Sequence, residues 1–277
     1  MRLKYKLTYL FILLLAVHLP AHEFWLAPQQ YIYSRTEEVN IRFLVGENFT
    51  GENWKGNRNK INTLKLFYAD ITDDISDGLC EDEGDSLQFS IHEEGTAMVA
   101  FNSSNSFIEM DAKTFNNYLT EDGLQAATDY RTQHKETDSA GREFYQRSVK
   151  TIVQIGTLKT NIYKKQTGLP VDLIPLSHPY QIKNGDSLTI QVLFHGNPLP
   201  NTKIRSWHKL PTGVTTNSYL SNANGEIRFP VMTSGEWMVS CVQMIHLEGN
   251  PNAQWQSYCG SLTWGYTGRN ITAAASR

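Results

Sequence analysis

The sequence has few of the motifs by which enzymes are usually recognised. Its 277 residues include three cysteines but no C-x-x-C pair, so a thioredoxin-type redox site is unsupported. It contains no G-x-S-x-G, P-loop or G-x-G-x-x-G, the signatures of many hydrolases, nucleotide sites and dinucleotide sites. The adjacent Glu93 and Glu94 have no context that would separate their acidities for acid-base catalysis. We therefore expect a protein that is not an enzyme.

An excess of positive charge is also absent. Lys and Arg number 25 against 28 Asp and Glu, which gives a formal net charge of −3. Three of the bases, Arg2, Lys4 and Lys6, lie in the first 21 residues, which contain no acid, so the remainder has 22 bases against 28 acids, or −6. A basic surface for nucleic acid is therefore not expected.

Long apolar runs are limited to the amino terminus. Residues 1–6 are basic, residues 7–17 are almost wholly apolar, and the run breaks at residues 18–21, which is the layout of a signal peptide. No later segment has the ~18 uninterrupted apolar residues of a membrane span. We expect cleavage after Ala21 and a mature chain in the periplasm or secreted, with no membrane span. The alternative is an uncleaved anchor.

Beyond the signal peptide the hydrophobic pattern is mainly that of β-strands. Residues 38–45 and 187–194 alternate apolar and polar side chains, as half-buried strands do. Helical spacing occurs in residues 111–130, with two short helices joined near Gly123. After residue 165 about seven strands separated by turns fill roughly 100 residues, which is typical of an immunoglobulin-like sandwich.

These patterns predict a mainly β protein of two parts. The first is an N-terminal β domain at residues 22–165, with a helical insertion at about residues 111–150. The second is a C-terminal immunoglobulin-like β-sandwich at residues 166–268, followed by a flexible tail at residues 269–277.

The cysteines suggest one disulfide in an oxidising compartment. Cys241 and Cys259 fall in or near the last two predicted strands, which a hairpin-like connection would place side by side. Cys80 would then be left over, or it could instead be the partner of one of them.

Histidine spacing gives no metal motif, because no two histidines form H-x-x-H or H-E-x-x-H. Cleavage after Ala21 would nevertheless make His22 the first residue. Its free amine and imidazole can then chelate one nickel, copper or zinc ion. The alternative is that residues 24–26 simply anchor the first strand and His22 is solvated. His246 closes an apolar run and is either a ligand or a histidine satisfied by backbone.

Several segments together resemble an uncharacterised family of bacterial periplasmic proteins, a domain of unknown function often labelled NikM-like, or the periplasmic component of a nickel and cobalt transport system. They are Ala21–Leu26, Phe107–Ala112, Phe115–Leu119, Glu121–Leu124, Arg142–Lys150, Gly168–Pro175, His178–Tyr180, Gly196–Leu199, Gly235–Trp237, His246 and Trp255–Trp264. The resemblance implies a secreted, two-part β-rich protein and favours the metal interpretation of His22 and His246. Cys259 departs from it, standing where an aromatic residue is expected.

The leading hypothesis is a non-enzymatic periplasmic protein that binds a divalent transition metal. The resemblance favours nickel or cobalt, with copper or zinc as alternatives, and implies a role accessory to metal uptake with an inner-membrane transporter or envelope partner. The expected ligands are His22, Glu23 and His246. Because a ligating histidine must be neutral, affinity should fall as pH drops through roughly 6.5.

Two other functions are compatible with the sequence. One is a binding or scaffolding module in which exposed Trp207, Trp255 and Tyr258 contact a carbohydrate, a peptide or an envelope partner. The other is a copper-dependent oxygenase with an amino-terminal histidine brace, which requires a second histidine beside the metal.

Overall fold

The architecture comes from a computed structural model, which describes residues 23–56, 58–80 and 84–268. The predicted signal peptide at residues 1–21, His22 and the predicted tail at residues 269–277 lie outside the described residues. No helix in the described ranges is long and apolar enough to cross a membrane.

The chain is built mainly of strands, as predicted. The first ten strands are β1 (Glu23–Pro28), β2 (Ile32–Tyr33), β3 (Glu38–Glu47), β4 (Thr50–Asn53), β5 (Ile61–Tyr68), β6 (Ile71–Asp74), β7 (Ser86–Ser90), β8 (Gly95–Ser103), β9 (Ser106–Met110) and β10 (Gly141–Ile155). The helices between β9 and β10 are α1 (Ala112–Glu121) and α2 (Gln125–Gln133).

The remaining strands complete the fold. They are β11 (Val171–Pro175), β12 (Ser187–Phe194), β13 (Asn197–Pro198), β14 (Lys203–Leu210), β15 (Gly213–Leu220), β16 (Glu226–Pro230), β17 (Glu236–His246) and β18 (Trp255–Gly265). Short 3₁₀ helices occupy Arg58–Lys60, Ser76–Gly78 and Asn161–Lys164.

A ten-stranded central sheet forms the middle layer. Its order is β15-β14-β17-β18-β10-β8-β5-β6, and β2 and β9 also pair with β10. Most neighbours are antiparallel, but β10 and β18 are parallel over residues 143–151 and 255–263. The central sheet therefore contains strands from both sides of the predicted boundary near residue 165.

A smaller sheet covers each face of the central sheet. The amino-terminal sheet consists of β1, β3, β4 and β7, and the carboxyl-terminal sheet consists of β11, β12, β13 and β16. Every residue of β8 is buried, as expected for a strand covered on both faces. Its Val99 packs in the core under the amino-terminal sheet, whereas Met98 packs in the core under the carboxyl-terminal sheet.

The alternating pattern in the sequence corresponds to one buried face in the outer strand β3. Val39, Ile41 and Phe43 are fully buried, while Glu38 before them and Arg42 between Ile41 and Phe43 are exposed. This is the period-2 pattern of a strand with one face against a core.

The helices lie over one end of β17 and β18. Asp111 caps α1 by accepting a hydrogen bond from the Thr114 amide at 3.0 Å. Phe115 of α1 packs against Trp255. The predicted insertion is helical only within residues 112–133, because residues 141–155 form β10, which pairs with β9 and β18.

Candidate functional site

The first described residue, Glu23, lies in a small pocket on the amino-terminal side of the central sheet. We call this cavity the amino-terminal pocket. Its volume is about 30 Å³, enough for a water-sized occupant. It is lined by Glu23, Phe24, Asp122, Arg205, Ser240, Cys241, Val242, Cys259, Gly260 and Ser261.

Strand β1 brings Glu23 into the pocket. The hydroxyl of Ser261 donates to the Phe24 carbonyl at 2.7 Å, and the hydroxyl of Thr263 donates to the Leu26 carbonyl at 2.7 Å. These bonds join β1 to the face of β18 and hold Glu23 at the wall of the pocket.

Asp122 is the buried acid of the pocket. It follows α1 directly and is 4% exposed. Its Oδ1 accepts a hydrogen bond from the Arg205 guanidinium, but among the described residues its Oδ2 has no hydrogen-bond partner. Burial raises the pKa of Asp122, and Arg205 opposes that shift.

Arg205 lies between two acids. Its Nη1 is 3.8 Å from Glu23 Oε1 and also binds Asp122, while its Nη2 donates to the Glu121 carbonyl at 2.5 Å. One guanidinium thus faces two carboxyl groups. Burial raises the pKa of Glu23 to about 7, against the lowering effect of Arg205.

A second buried acid lies beyond the pocket. Glu143 on β10 is 2% exposed, and its Oε1 accepts hydrogen bonds from the Ser257 hydroxyl and, at 3.4 Å, from the Tyr118 hydroxyl. Its Oε2 has no partner in the described part of the chain. Burial raises the pKa of Glu143 to about 7.

The expected disulfide between Cys241 and Cys259 is absent from the structure. Both residues, and Cys80, are free thiols. Cys241 pairs with Gly260 and Val242 pairs with Cys259 across β17 and β18, so the two cysteine side chains point to opposite faces of the sheet. A disulfide requires Cβ atoms that point toward each other. The prediction that the last two strands are neighbours is confirmed. The sequence does not indicate their register, which decides the face on which each cysteine lies.

The thiol of Cys259 faces the same side as the amino-terminal pocket. Burial, reinforced by nearby Glu143, raises its pKa to about 12, although Arg147 lowers it. The sulfur is therefore protonated at neutral pH and is a poor nucleophile and a poor ligand in this state.

The structure does not bring Glu23 and His246 together. Ser240, which lines the pocket, precedes His246 by six residues in β17, which at ~3.3 Å per residue is on the order of 20 Å. The His246 ring instead stacks on Tyr130 at 4.0 Å and meets the edge of Trp255 at 5.1 Å. Within the described ranges no group of three or more His, Cys, Asp or Glu side chains could hold a metal ion.

Two of the three predicted ligand-binding aromatics are not on the surface. Trp207 is 5% exposed and Trp255 is 2% exposed. Trp207 donates from its ring nitrogen to the Ser240 hydroxyl at 3.0 Å, and Trp255 packs beneath the helices. Only Tyr258 of that set is half-buried and reachable. The expectation that all three are exposed is therefore wrong, because α1, α2 and the amino-terminal sheet cover the other two.

No motif or spacing marks Asp122 or Arg205 as a site residue, although Asp122 lies in the segment Glu121–Leu124 that contributes to the family resemblance. Asp122 precedes Gly123 at the end of α1, a position that is typical of a helix terminus and not of a binding site. Arg205 is one polar position in the alternating pattern of β14. Their approach to Glu23 depends on how the helices and three strands meet, which no local spacing encodes.

A family model described as "Domain of unknown function (DUF4198)" matches residues 19–245. No curated protein matches.

Several solved structures resemble the chain weakly. Dimeric latent PorU from Porphyromonas gingivalis is 12% identical with a TM-score of 0.18, over 92% of this chain and 21% of that one. The adhesin InvE from Yersinia pseudotuberculosis is 10% identical with a TM-score of 0.18, over 91% and 65%. A DUF3823 family protein from Bacteroides uniformis is 9% identical with a TM-score of 0.21, over 89% and 100%. TM-scores this low support no conclusion about the fold or the function of this chain.

Proposed function

The chain belongs to the DUF4198 family of domains of unknown function, and from the geometry of its amino-terminal pocket we propose that it is a secreted, non-catalytic protein that binds a divalent transition metal. The metal is nickel or cobalt, and the role is accessory to metal uptake in the periplasm. The site is formed by the first residue of the mature chain together with the acids of the pocket.

The single observation that supports this proposal is the unpartnered Oδ2 of Asp122. A buried carboxylate oxygen without a hydrogen bond is costly, and a bound cation would compensate for it. The oxygen belongs to a pocket whose wall includes Glu23, the residue next to His22. The amine and imidazole of His22 and the carboxylates of Glu23 and Asp122 make a nitrogen and oxygen donor set that suits a divalent transition metal.

The proposal differs from the ligand set expected from the sequence. Asp122 takes the place of His246, which lies on the order of 20 Å away along β17. Because the described residues alone form no metal cluster, the site requires His22, and its affinity depends on a free amine at that residue. Arg205 holds Asp122 in place from the opposite side through Oδ1.

Calorimetric titration with Ni²⁺ and Co²⁺ tests the proposal. The mature chain that begins at His22 is compared with the same chain carrying one extra glycine before His22. We expect the extra residue to weaken binding at least about tenfold, because it removes the amine from chelation with the imidazole. Equal affinity of the two forms would show that the metal does not bind at the amino terminus.

The role of Asp122 is tested separately. Asp122→Asn should weaken metal binding, whereas Asp138→Asn, at an exposed acid beyond α2, should not. Melting temperatures of both variants establish that the fold is retained. If a folded Asp122→Asn variant binds as tightly as the unmodified chain, Asp122 is not part of the site.

A further inference from the structure

One end of the central sheet is left open on the face that the carboxyl-terminal sheet covers elsewhere. At Gly260 of β18 the two sheets are so close that an added Cβ would lie 2.4 Å from Val171. Tyr258, two residues earlier on the same face, lies at the rim and contacts the ring of Phe194 at the end of β12. Before Tyr258, on the same face, Gln256 is 5% exposed and donates to Asn105 Oδ1 at 3.1 Å, so side chains of the central sheet itself cover it. Phe107 remains 50% exposed, and we call the region from Phe107 to Tyr258 on this face the open face.

Aromatic side chains run across the open face. Phe107 and Phe144 meet edge to face at 5.8 Å, and Phe194 and Tyr258 do so at 5.2 Å. The exposed ring of His195 lies 5.5 Å from Tyr258.

The two aromatic pairs are neighbours. Phe144 is paired with Gln256, which is two residues before Tyr258, so their side chains start about 7–8 Å apart. Phe107 is 50% exposed. Phe144, Phe194 and Tyr258 are half-buried beside it. Apolar side chains that are grouped at the surface in this way are typical of an interaction site.

Carboxamide side chains lie on both sides of the Tyr258 ring. Tyr258 is paired with Gln146 on β10 and with Gln243 on β17, so one amide side chain lies on each side of it. The Gln146 amide donates only a long hydrogen bond of 3.4 Å to Asn102 Oδ1, and Gln243 donates one of 3.4 Å to the Met244 carbonyl. Each amide offers both a donor and an acceptor to a ligand.

The charge of the open face limits its partners. The aromatic and amide positions contain no acid or strong base, and Glu109 and Arg142 lie opposite each other at the edge of the row. A nucleic acid or acidic polymer would need basic residues along this row. A neutral ligand with alternating apolar faces and hydroxyl groups matches a row of rings with amides beside them.

We propose that the open face is a binding site for a neutral oligosaccharide. The rings of Phe107, Phe144 and Tyr258 stack on the C–H faces of successive sugar units, with the negative π-face of each ring toward the C–H groups. The amides of Gln146 and Gln243 bind the hydroxyl or acetamido groups at the ring edges. This site is independent of the proposed metal site, because Tyr258 and Cys259 are consecutive strand residues and point to opposite faces.

The test is a titration of the mature chain with cellohexaose and with chitohexaose, followed by calorimetry and by NMR line broadening. We expect saturable binding of at least one of them. Phe107→Ala and Tyr258→Ala should each weaken that binding about tenfold. Phe107 is half exposed, so its removal leaves the core intact. Leu220→Ala, at a 65% exposed side chain on β15, is the matched control and should bind as the unmodified chain does.

Three outcomes would overturn the proposal. One is the absence of saturable binding to both oligosaccharides. Another is unchanged affinity in the two aromatic variants. The third is binding that is lost as sodium chloride is raised, since a neutral ligand on an uncharged face should be insensitive to salt.

Discussion

Buried carboxyl groups are the most unusual residues of this protein. Asp122 and Glu143 are almost fully buried, and each has one oxygen without a hydrogen bond among the described residues. Their positions are held by neighbours of different kinds, an arginine for Asp122 and two hydroxyls for Glu143. Acids placed in this way respond to pH, and Glu143 gives a direct way to measure the response.

Replacing Glu143 with Gln should change how stability depends on pH. The pKa of Glu143 is about 7 in the folded chain and near its ordinary value of 4.5 when unfolded. The folded state therefore binds more protons between these values, and its stability falls as pH rises from about 4.5 to about 7. Glu143→Gln cannot ionise, so between pH 5 and pH 8 it should lose less stability than the unmodified chain, by on the order of 2–3 kcal/mol.

Chemical denaturation at pH 5, 6 and 8 measures this difference. Glu109→Gln, at an exposed acid on β9, is the control and should follow the unmodified chain at every pH. If the free energy of unfolding changes equally with pH in Glu143→Gln and in the unmodified chain, the pKa of Glu143 is not raised in the folded state.

At the scale of elements the sequence was informative about strands and helices. Residues 187–194 were predicted as a strand with the observed bounds, and both helices were predicted on either side of Gly123. Periodicity predicts such elements because each buries one side against a core. It does not indicate which element covers which, and this is why Trp207 and Trp255 were expected on the surface. It also gave no sign of Asp122 and Arg205 meeting Glu23.

Strands β10 and β11 are joined by a buried ion pair. Lys150 is fully buried, and its ammonium binds Asp172 Oδ1. Asp172 Oδ2 accepts hydrogen bonds from the Thr167 amide at 2.6 Å and hydroxyl at 3.0 Å. The pair therefore connects the central sheet to the carboxyl-terminal sheet and to the segment before β11.

Breaking this ion pair from one side should be strongly destabilising. Lys150→Met leaves Asp172 buried without its cation, and we expect a loss of about 3–5 kcal/mol in the free energy of unfolding. The double variant Lys150→Met/Asp172→Asn removes both charges and keeps an acceptor for Thr167, so it should recover part of that loss. Urea denaturation measures both values. A double variant less stable than Lys150→Met would show that the charge of Asp172 is not the cause.

For the whole molecule, the free thiols are the simplest property to test. The structure has Cys80 exposed and Cys241 buried, and burial raises the pKa of both Cys241 and Cys259 to about 12. We expect one thiol to react rapidly with a thiol reagent in the native protein and three in denaturant. A reducing agent should leave the melting temperature unchanged. Fewer than three thiols in denaturant, without reductant, would mean that a disulfide forms.

The whole molecule is also where the sequence was least informative. A change of pattern near residue 165 predicted two parts, whereas the central sheet draws strands from both sides of that position. The two parts are joined by the pairing of β10 with β18. This pairing brings together residues more than 100 positions apart in the chain, such as Glu143 and Trp255. Alternation within a strand contains no information about so distant a neighbour.

The central place of β18 determines when the protein can fold. Among the described strands it comes last along the chain, yet it lies between β17 and β10 in the middle of the central sheet. Contacts between such distant segments form slowly. Until β18 has docked, the facing edges of β17 and β10 are without their native partner strand.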